Sequence, residues 1–317
     1  MKPSRILVLG GTGFVGRQVC EQLVRAGHAV TVPTRKLSQA SAIQSLPGLR
    51  VVQASITQEG VLASLLPGHD AVVHLVAVLH GNESRFEAMH VTLPRQLREA
   101  MQASGIHRLV HVSALGADAQ GPSMYQRSKA RGEAELQAGH LDLTVLRPSV
   151  IFGAEDRFLN LFARLQVLAP LVPLAGAHTR FAPVWVGDVA RAVLHGLEDR
   201  GTVGQTYELA GPEVYTLAEL VRLSGCWAGV RGGRGRWVLP LPAPLAWLQA
   251  LAMESLPGEP LMSRDNLASM KVDNLPGGRH PGLAELGISA APLSVLAPQY
   301  LGARGPRSHL DRFRARH

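Results

Sequence analysis

The feature that most constrains this chain is a glycine-rich turn set between an apolar strand and an amphipathic helix: Arg5-Ile-Leu-Val-Leu-Gly10-Gly-Thr-Gly13-Phe-Val-Gly16-Arg17. Residues 6–9 read as a buried strand and residues 15–26 as a helix, with Gly10, Gly13 and Gly16 spaced G-x-x-G-x-x-G between them. A pyrophosphate needs backbone N–H groups aimed at it and no side chain in the way. Glycines at a strand-to-helix turn supply both, and the helix N-terminus adds a dipole of the right sign. The turn formed by Gly10, Thr12, Gly13, Phe14, Val15, Gly16 and Arg17 is therefore expected to cradle a dinucleotide. A turn that merely packed helix against strand would not need all of these glycines.

A chain of 317 residues can bury a full core and suits one large α/β domain, or such a domain with a smaller cap. Only Met-Lys-Pro-Ser precedes the first strand, so no signal or transit segment is expected. Cys20 and Cys226 make neither a disulfide framework nor a metal-ligand spacing. No metal site is expected, Cys20 reads as an inert core thiol, and a reducing cytoplasm suits the chain.

The formal net charge of +8 is almost wholly an arginine excess, part of it in Arg231-Gly-Gly-Arg234-Gly-Arg236 and in the tail, residues 304–317. Such clusters can meet nucleic acid or anionic membrane. No nucleic-acid-binding motif accompanies them, so nucleic acid is not expected as a partner. A docking surface for acidic lipid or for a protein stays open.

Strand 2, residues 29–32, runs into Pro33-Thr34-Arg35-Lys36. An NAD site places a carboxylate here for the ribose hydroxyls, whereas an NADP site places a cation for the 2′-phosphate. The sequence offers Arg35 and Lys36, with Arg17 close after the glycines, so NADP(H) is the expected cofactor. Further strands are read at residues 49–54, 70–77, 108–113 and 143–148, with a helix over 86–104. The 70–77 strand carries His74, read as a core or cofactor-edge residue, and ends at Ala77, an expected cofactor-binding position. Alternation of this kind gives a doubly wound parallel sheet of the Rossmann type.

After strand 5 comes Tyr125-Gln-Arg-Ser-Lys129 at the start of a helix. Tyrosine and lysine at i and i+4 face one side, one turn apart. The ammonium can lower the phenol pKa and hold the nicotinamide ribose, while the phenol exchanges a proton with a carbonyl or alcohol. Beyond Pro148 the alternation stops. Residues 157–174 read as an apolar helix, 184–191 as a strand edge and a helix returning to the sheet, 207–210 as a strand, and 216–224 as a capped helix. The Leu- and Pro-rich stretch 238–262 is too short and interrupted to cross a bilayer. Its helical part, around Trp247, reads as a core helix of a cap, with an amphipathic surface lying on a membrane or another subunit as the alternative.

Gly10, Gly13, Gly16, Tyr125, Lys129, Leu146-Arg147-Pro148, Phe152-Gly153 and Val186-Gly187-Asp188-Val189-Ala190 together resemble the extended or atypical branch of the short-chain dehydrogenase/reductase superfamily, epimerases and dehydratases included, over essentially the whole chain. A narrower similarity rests on Val112-Ser113-Ala114-Leu115-Gly116-Ala117, on Tyr125 to Glu133, on Leu256-Pro257, on Leu261-Met-Ser-Arg-Asp265-Asn and on Val272-Asp273-Asn274. These look like the family of the NADPH-binding accessory subunit of respiratory complex I and its bacterial relatives. The resemblance implies an α/β, doubly wound parallel-sheet Rossmann fold with a small C-terminal α-rich cap. The expected division is an NADP(H)-binding core at 1–153, cap and returning core elements at 154–303, and a flexible basic tail at 304–317.

Two positions depart from active reductases of the superfamily. Ser113 leads the segment that should present a hydroxyl to a substrate carbonyl, but Ala114 and Leu115 fill the aligned positions; strand 3 ends in Ala54-Ser55 instead of Gly-Asp. One expectation is therefore a protein that holds NADPH without turnover, cytoplasmic or peripheral on the inner face of a membrane, with a respiratory-complex or other membrane-associated partner. The alternative is an active NADP-dependent reductase, epimerase or dehydratase on a sugar nucleotide or other small carbonyl compound. Tyr125, Lys129 and Ser113 would then be catalytic; in either case Ala77, Lys129 and Pro148 are expected among the cofactor-binding residues.

Overall fold

The computed structural model describes residues 4–255 and 262–302. The tail 304–317 and the positions Leu256, Pro257 and Leu261 lie outside the described residues. Seven strands pair in parallel into one sheet: β1 (Arg5–Leu9), β2 (Ala29–Thr34), β3 (Leu49–Gln53), β4 (Ala71–His74), β5 (Arg108–Val112), β6 (Asp142–Pro148) and β7 (Thr206–Leu209). Their order across the sheet is β7-β6-β5-β4-β1-β2-β3. The apolar runs in β1 and β4 are buried on both faces, as a parallel sheet covered by helices requires.

From β1 the chain builds outward through β2 and β3, then returns to lay β4 on the other side of β1 and continues to β5 and β6. The carboxyl ends of β1 and β4 therefore diverge into opposite windings, which opens the crevice where this architecture takes ligands. One face is covered by α2 (Leu93–Ala103) and α3 (Met124–Gln137); its core includes Leu7, Leu9, Val72, Leu97, Met101 and Leu136. On the other face α1 (Phe14–Arg25) packs against α4 (Val186–Glu198), and Gly196 brings α4 down onto Val110 and Thr144.

The described residues divide into two compact units. The first comprises the chain up to Pro148, Val186–Leu209 and Pro276–Ser289, and contains the whole seven-stranded sheet. The second comprises Ser149–Trp185, Ala210–Leu275 and the chain from Ala290. Its helices Phe158–Leu168 and Leu217–Trp227 pack together, the latter opened by a Thr216–Glu219 capping box as its sequence predicts. Among the described residues no helix is long and apolar enough to cross a membrane.

Three sequence expectations are corrected. The fourth strand stops at His74, and residues 75–77 leave the ladder after one bond from Leu75 N to Leu9 O. The expected helix over 157–174 ends at Leu168, and Leu171–Leu174 is a strand paired in parallel with Trp237–Pro240. The two prolines at 170 and 173 favour that extended path. Finally, the helix Ala243–Glu254 is not a core helix, because it buries only Ala246 and Ala250 and leaves Leu245, Trp247 and Leu248 exposed.

One glycine sets how close α1 comes to the turn after β1. A methyl group on Gly16 would overlap the Gly10 carbonyl oxygen and lie 2.6 Å from the Gly11 α-carbon, both backbone atoms that cannot swing aside. Gly16→Ala is expected to destabilise the chain by about 2 kcal/mol or more through forced overpacking, read as a lowered denaturation midpoint at unchanged m-value. An unchanged midpoint would refute the close approach.

Candidate cofactor and proton-transfer site

The turn after β1 has the form of an anion cradle. Gly10 takes a left-handed φ of 89°, and Gly13 N donates to Gly10 O at 3.0 Å to close the turn. Gly13 then caps α1 with no side-chain acceptor for the first helical N–H groups and no acidic residue in the first turn. Those donors stay available to a phosphate, and Thr12, Phe14 and Val15 stand around them half-buried. Arg17 Nε donates to Thr12 O at 3.1 Å, which ties its guanidinium to the turn. Beyond β2, Thr34 Oγ1 bonds the Lys36 carbonyl at 3.1 Å and Gln53 Nε2 bonds the Arg35 carbonyl at 3.5 Å. The loop backbone is fixed while the Arg35 and Lys36 side chains remain exposed.

Across the sheet, β5 ends at Val112 and helix α3 lies over it. Its N-terminus is set by a capping box: Gln126 N donates to Ser123 Oγ at 3.1 Å, and Ser123 N donates to Gln126 Oε1 at 3.3 Å. That fixes Tyr125 as the second helical residue and Lys129 one turn further along, on the same side. Lys129 is buried, and its Nζ donates to Val112 O at 3.2 Å. Burial pulls its pKa down to about 8. Glu133, one turn on, opposes the fall, but that carboxylate already takes a fork of bonds from Arg147 at 3.0 and 2.5 Å.

Burial also pushes the Tyr125 phenol up to about 12. The sequence leads one to expect a phenol lowered by Lys129; here desolvation dominates, and the ammonium directs its bond to a backbone carbonyl instead. At neutral pH Tyr125 is a proton donor and a poor base. Ser113, the next residue of the strand end, has a buried hydroxyl with no hydrogen-bond partner among the described residues. Ala77 lies exposed in the loop after β4, and Pro148 is buried at the end of β6. The structure thus brings the glycine turn, Ala77, Ser113, Lys129 and Pro148 to the carboxyl ends of β1, β4, β5 and β6.

Three histidines complete the surroundings, and the sequence reading took up only His74. Val78 N donates to His90 Nε2 at 3.0 Å, so that nitrogen is unprotonated and Nδ1 carries the hydrogen toward Ser128 Oγ at 2.8 Å. Ser128 Oγ donates on to the Tyr125 carbonyl at 2.9 Å. His90 sits in a wide helical turn, Ala88–Thr92, just before α2. Pro94 has no N–H to offer the His90 carbonyl, and that oxygen points at α3, where only Gly132 leaves room for it. His90 thereby latches the loop after β4 to the helix bearing Tyr125. His74 and His111, facing each other in β4 and β5, share one hydrogen between their Nδ1 atoms at 2.8 Å. Burial, then the nearby Lys129 charge, lowers His74 and His90 to about 3 and His111 well below its usual value, so all three are neutral. The only advance signal for the latch was a histidine four residues before a proline.

Comparison with known proteins points to nicotinamide-dinucleotide binding. Residues 10–157 match a family model described as NAD(P)H-binding. The mitochondrial NADH dehydrogenase (ubiquinone) 1 alpha subcomplex subunit 9 of Mus musculus is 32% identical over 306 residues, covering 93% of this chain and 78% of that protein. Its Arabidopsis thaliana counterpart is 30% identical over 84% of this chain and 70% of that protein. Among solved structures, a nucleoside-diphosphate-sugar epimerase from Staphylococcus aureus superposes with a TM-score of 0.72 at 15% identity, covering 93% of this chain and 99% of that one. The last likeness speaks to the fold alone.

The buried lysine gives the site a pH signature. Lys129 has a folded pKa of about 8 against 10.5 in the unfolded chain, so between these values the unfolded state binds more protons and stability rises with pH. At about 1.4 kcal/mol per unit the full effect is on the order of 3 kcal/mol. Tyr125 above pH 10 and the buried Cys20 thiol, raised from 9.0 to about 12, above pH 9 act in the opposite sense, but both are common to wild type and Lys129→Met, so their difference isolates the lysine across pH 8–10. Denaturant titrations of the cofactor-free protein are expected to show wild type gaining on Lys129→Met across that window; a constant difference would refute the assignment.

Proposed function

The chain belongs to the family of the NADH dehydrogenase (ubiquinone) 1 alpha subcomplex subunit 9, a nicotinamide-dinucleotide-binding, epimerase/dehydratase-like branch of the short-chain dehydrogenase/reductase superfamily, and from that premise we propose that it holds NADP(H) in a structural or assembly role related to respiratory complex I, peripherally at the inner face of the membrane. What supports the non-turnover part is the setting of the Tyr125–Lys129 pair: Lys129 Nζ donates to the Val112 carbonyl, and burial pushes the phenol up. Ala114 and Leu115 at the positions of a carbonyl-polarising hydroxyl support it.

In this reading Gly10, Thr12, Gly13, Phe14, Val15, Gly16 and Arg17 hold the pyrophosphate through backbone donors and the dipole of α1. Arg35 and Lys36, where no carboxylate is present after β2, favour the 2′-phosphate of NADP(H) over the bare ribose of NAD. Ala77 and Pro148 flank the nicotinamide, and Lys129 holds its ribose hydroxyls. When bound, the reduced nicotinamide supplies a hydride for carbonyl reduction. Ser113 favours a second reading, an active NADP-dependent reductase, epimerase or dehydratase, because a buried hydroxyl without a partner suits a substrate carbonyl. Tyr125 would then give up the proton and Lys129 would stabilise the phenolate.

The deciding measurement is the cofactor that accompanies the purified protein. Stoichiometric NADPH that exchanges slowly and survives a panel of carbonyl compounds is expected. Rapid exchange, with oxidation by one such compound that Tyr125→Phe abolishes, would establish the enzyme instead. Arg35→Glu is expected to weaken NADPH binding by about tenfold or more, as loss of a charge-assisted phosphate contact does, and to leave NADH binding nearly unchanged. Equal weakening of both would remove the preference for NADP(H).

A further inference from the structure

The second unit exposes an apolar face that no described residue covers. In the parallel ladder Leu171–Leu174 with Trp237–Pro240, Trp237 lies beside Leu171 and Leu239 beside Pro173. Strand alternation turns Val172 and Leu174 inward and leaves Leu171, Pro173, Trp237 and Leu239 on the outer face. Trp237 is 74% exposed, and Leu168, at the end of the helix leading into the ladder, is 82% exposed. On the other side Gln249 Nε2 donates to Pro173 O at 3.4 Å, which ties the helix Ala243–Glu254 to the same ladder. That helix adds exposed Leu245, Trp247 and Leu248. So many large apolar side chains exposed on one ladder and the helix tied to it mark a contact with something outside the chain.

Charge identifies what that contact is. From Arg157 to Gly187, and again from Leu220 to Met253, the sequence contains no aspartate or glutamate, and these stretches build the face. They carry Arg164 before Leu168 and the loop Arg231-Gly-Gly-Arg234-Gly-Arg236 leading directly into Trp237. Arg231 and Arg234 are exposed; Arg264 lies 5.7 Å from the Trp247 ring centre. Tryptophans amid leucines, rimmed by the exposed Arg231 and Arg234, with the one carboxylate of the helix, Glu254, neutralised by Arg264 at 2.8 Å, match the boundary between acyl chains and anionic headgroups. A second copy of this chain would set these arginines against themselves in a two-fold contact, a repulsion that argues against self-association.

We propose that this face of the second unit, centred on Trp237, Leu239 and Trp247 and rimmed by Arg231 and Arg234, seats the protein on an anionic lipid bilayer. This rests on the peripheral membrane placement proposed above and deepens it; the cofactor reading is tested separately by cofactor content and turnover, so the two failures are distinguishable.

The test is partition of the full chain with its cofactor onto vesicles of phosphatidylcholine alone or mixed with phosphatidylglycerol carrying dibrominated acyl chains. Sedimentation with the mixed vesicles, together with quenching of tryptophan emission by the bromines, is the expected result. The triple variant Trp237→Ser, Leu239→Ser, Trp247→Ser should lose partition by at least about tenfold, given the apolar area withdrawn. The pair Arg231→Gln, Arg234→Gln should lose about tenfold at low salt and flatten the salt dependence. Retained cofactor content in each variant shows that it folds, and the arginine pair tests the face should the triple variant fail to do so. Sedimentation without quenching would mean adsorption by charge alone and would overturn the proposal. So would quenching that both variants leave undiminished, or no vesicle binding while the same substitutions abolish binding to an acidic protein partner.

Discussion

The carboxyl edge of the sheet depends on one non-bonded approach, the backbone of α1 lying against the turn that leaves β1. Gly16 lets the helix come down until only a hydrogen fits over the Gly10 carbonyl. That depth decides where the first uncapped N–H groups of α1 point, and so where a pyrophosphate can be held. The crevice itself opens where β1 is flanked by β4 on one side and β2 on the other, the point at which the strand order reverses.

The far side of the crevice is fixed by different means. Helix α3 is started by a capping box, brought near the wide turn at Ala88–Thr92 through Gly132, and latched by the path from Val78 through His90 and Ser128 to the Tyr125 carbonyl. Every member of that path is neutral, which suits a region where Lys129 is already desolvated. A charged histidine beside a buried ammonium would add repulsion to a burial cost that the fold already bears. The result is a hydrogen-bonded frame around the helix that carries Tyr125 and the buried Lys129.

Much of this was legible in the sequence because the relevant signals are local. The glycine spacing, the apolar runs of β1 and β4, the cations after β2 and the four-residue step from Tyr125 to Lys129 each depend on a few neighbouring residues. What escaped was decided at a distance. Leu171–Leu174 is extended because Trp237–Pro240 pairs with it, and an apolar run cannot report a partner so far along the chain. The helix Ala243–Glu254 is apolar nearly all round, so its sequence reads as buried; two alanines suffice to dock it, and the large side chains are left outside. His90 gave almost no signal, since a lone histidine in a helix looks the same whether it faces water or bridges two backbone segments.

The interleaving of the two units has a consequence for biosynthesis. Strand β7 closes one edge of the sheet, but Glu208 N finds its acceptor in the Pro281 carbonyl, and the nearly buried Glu208 carboxylate finds its donor in Gly277 N. A ribosome that has delivered every strand of the sheet still holds back the segment that satisfies the last of them. Completion of the first unit therefore waits until Pro276–Ser289 has been synthesised, after most of the second unit. A chain released early would carry all seven strands with an uncovered edge, a species primed for pairing with its neighbours and for capture by chaperones or proteases.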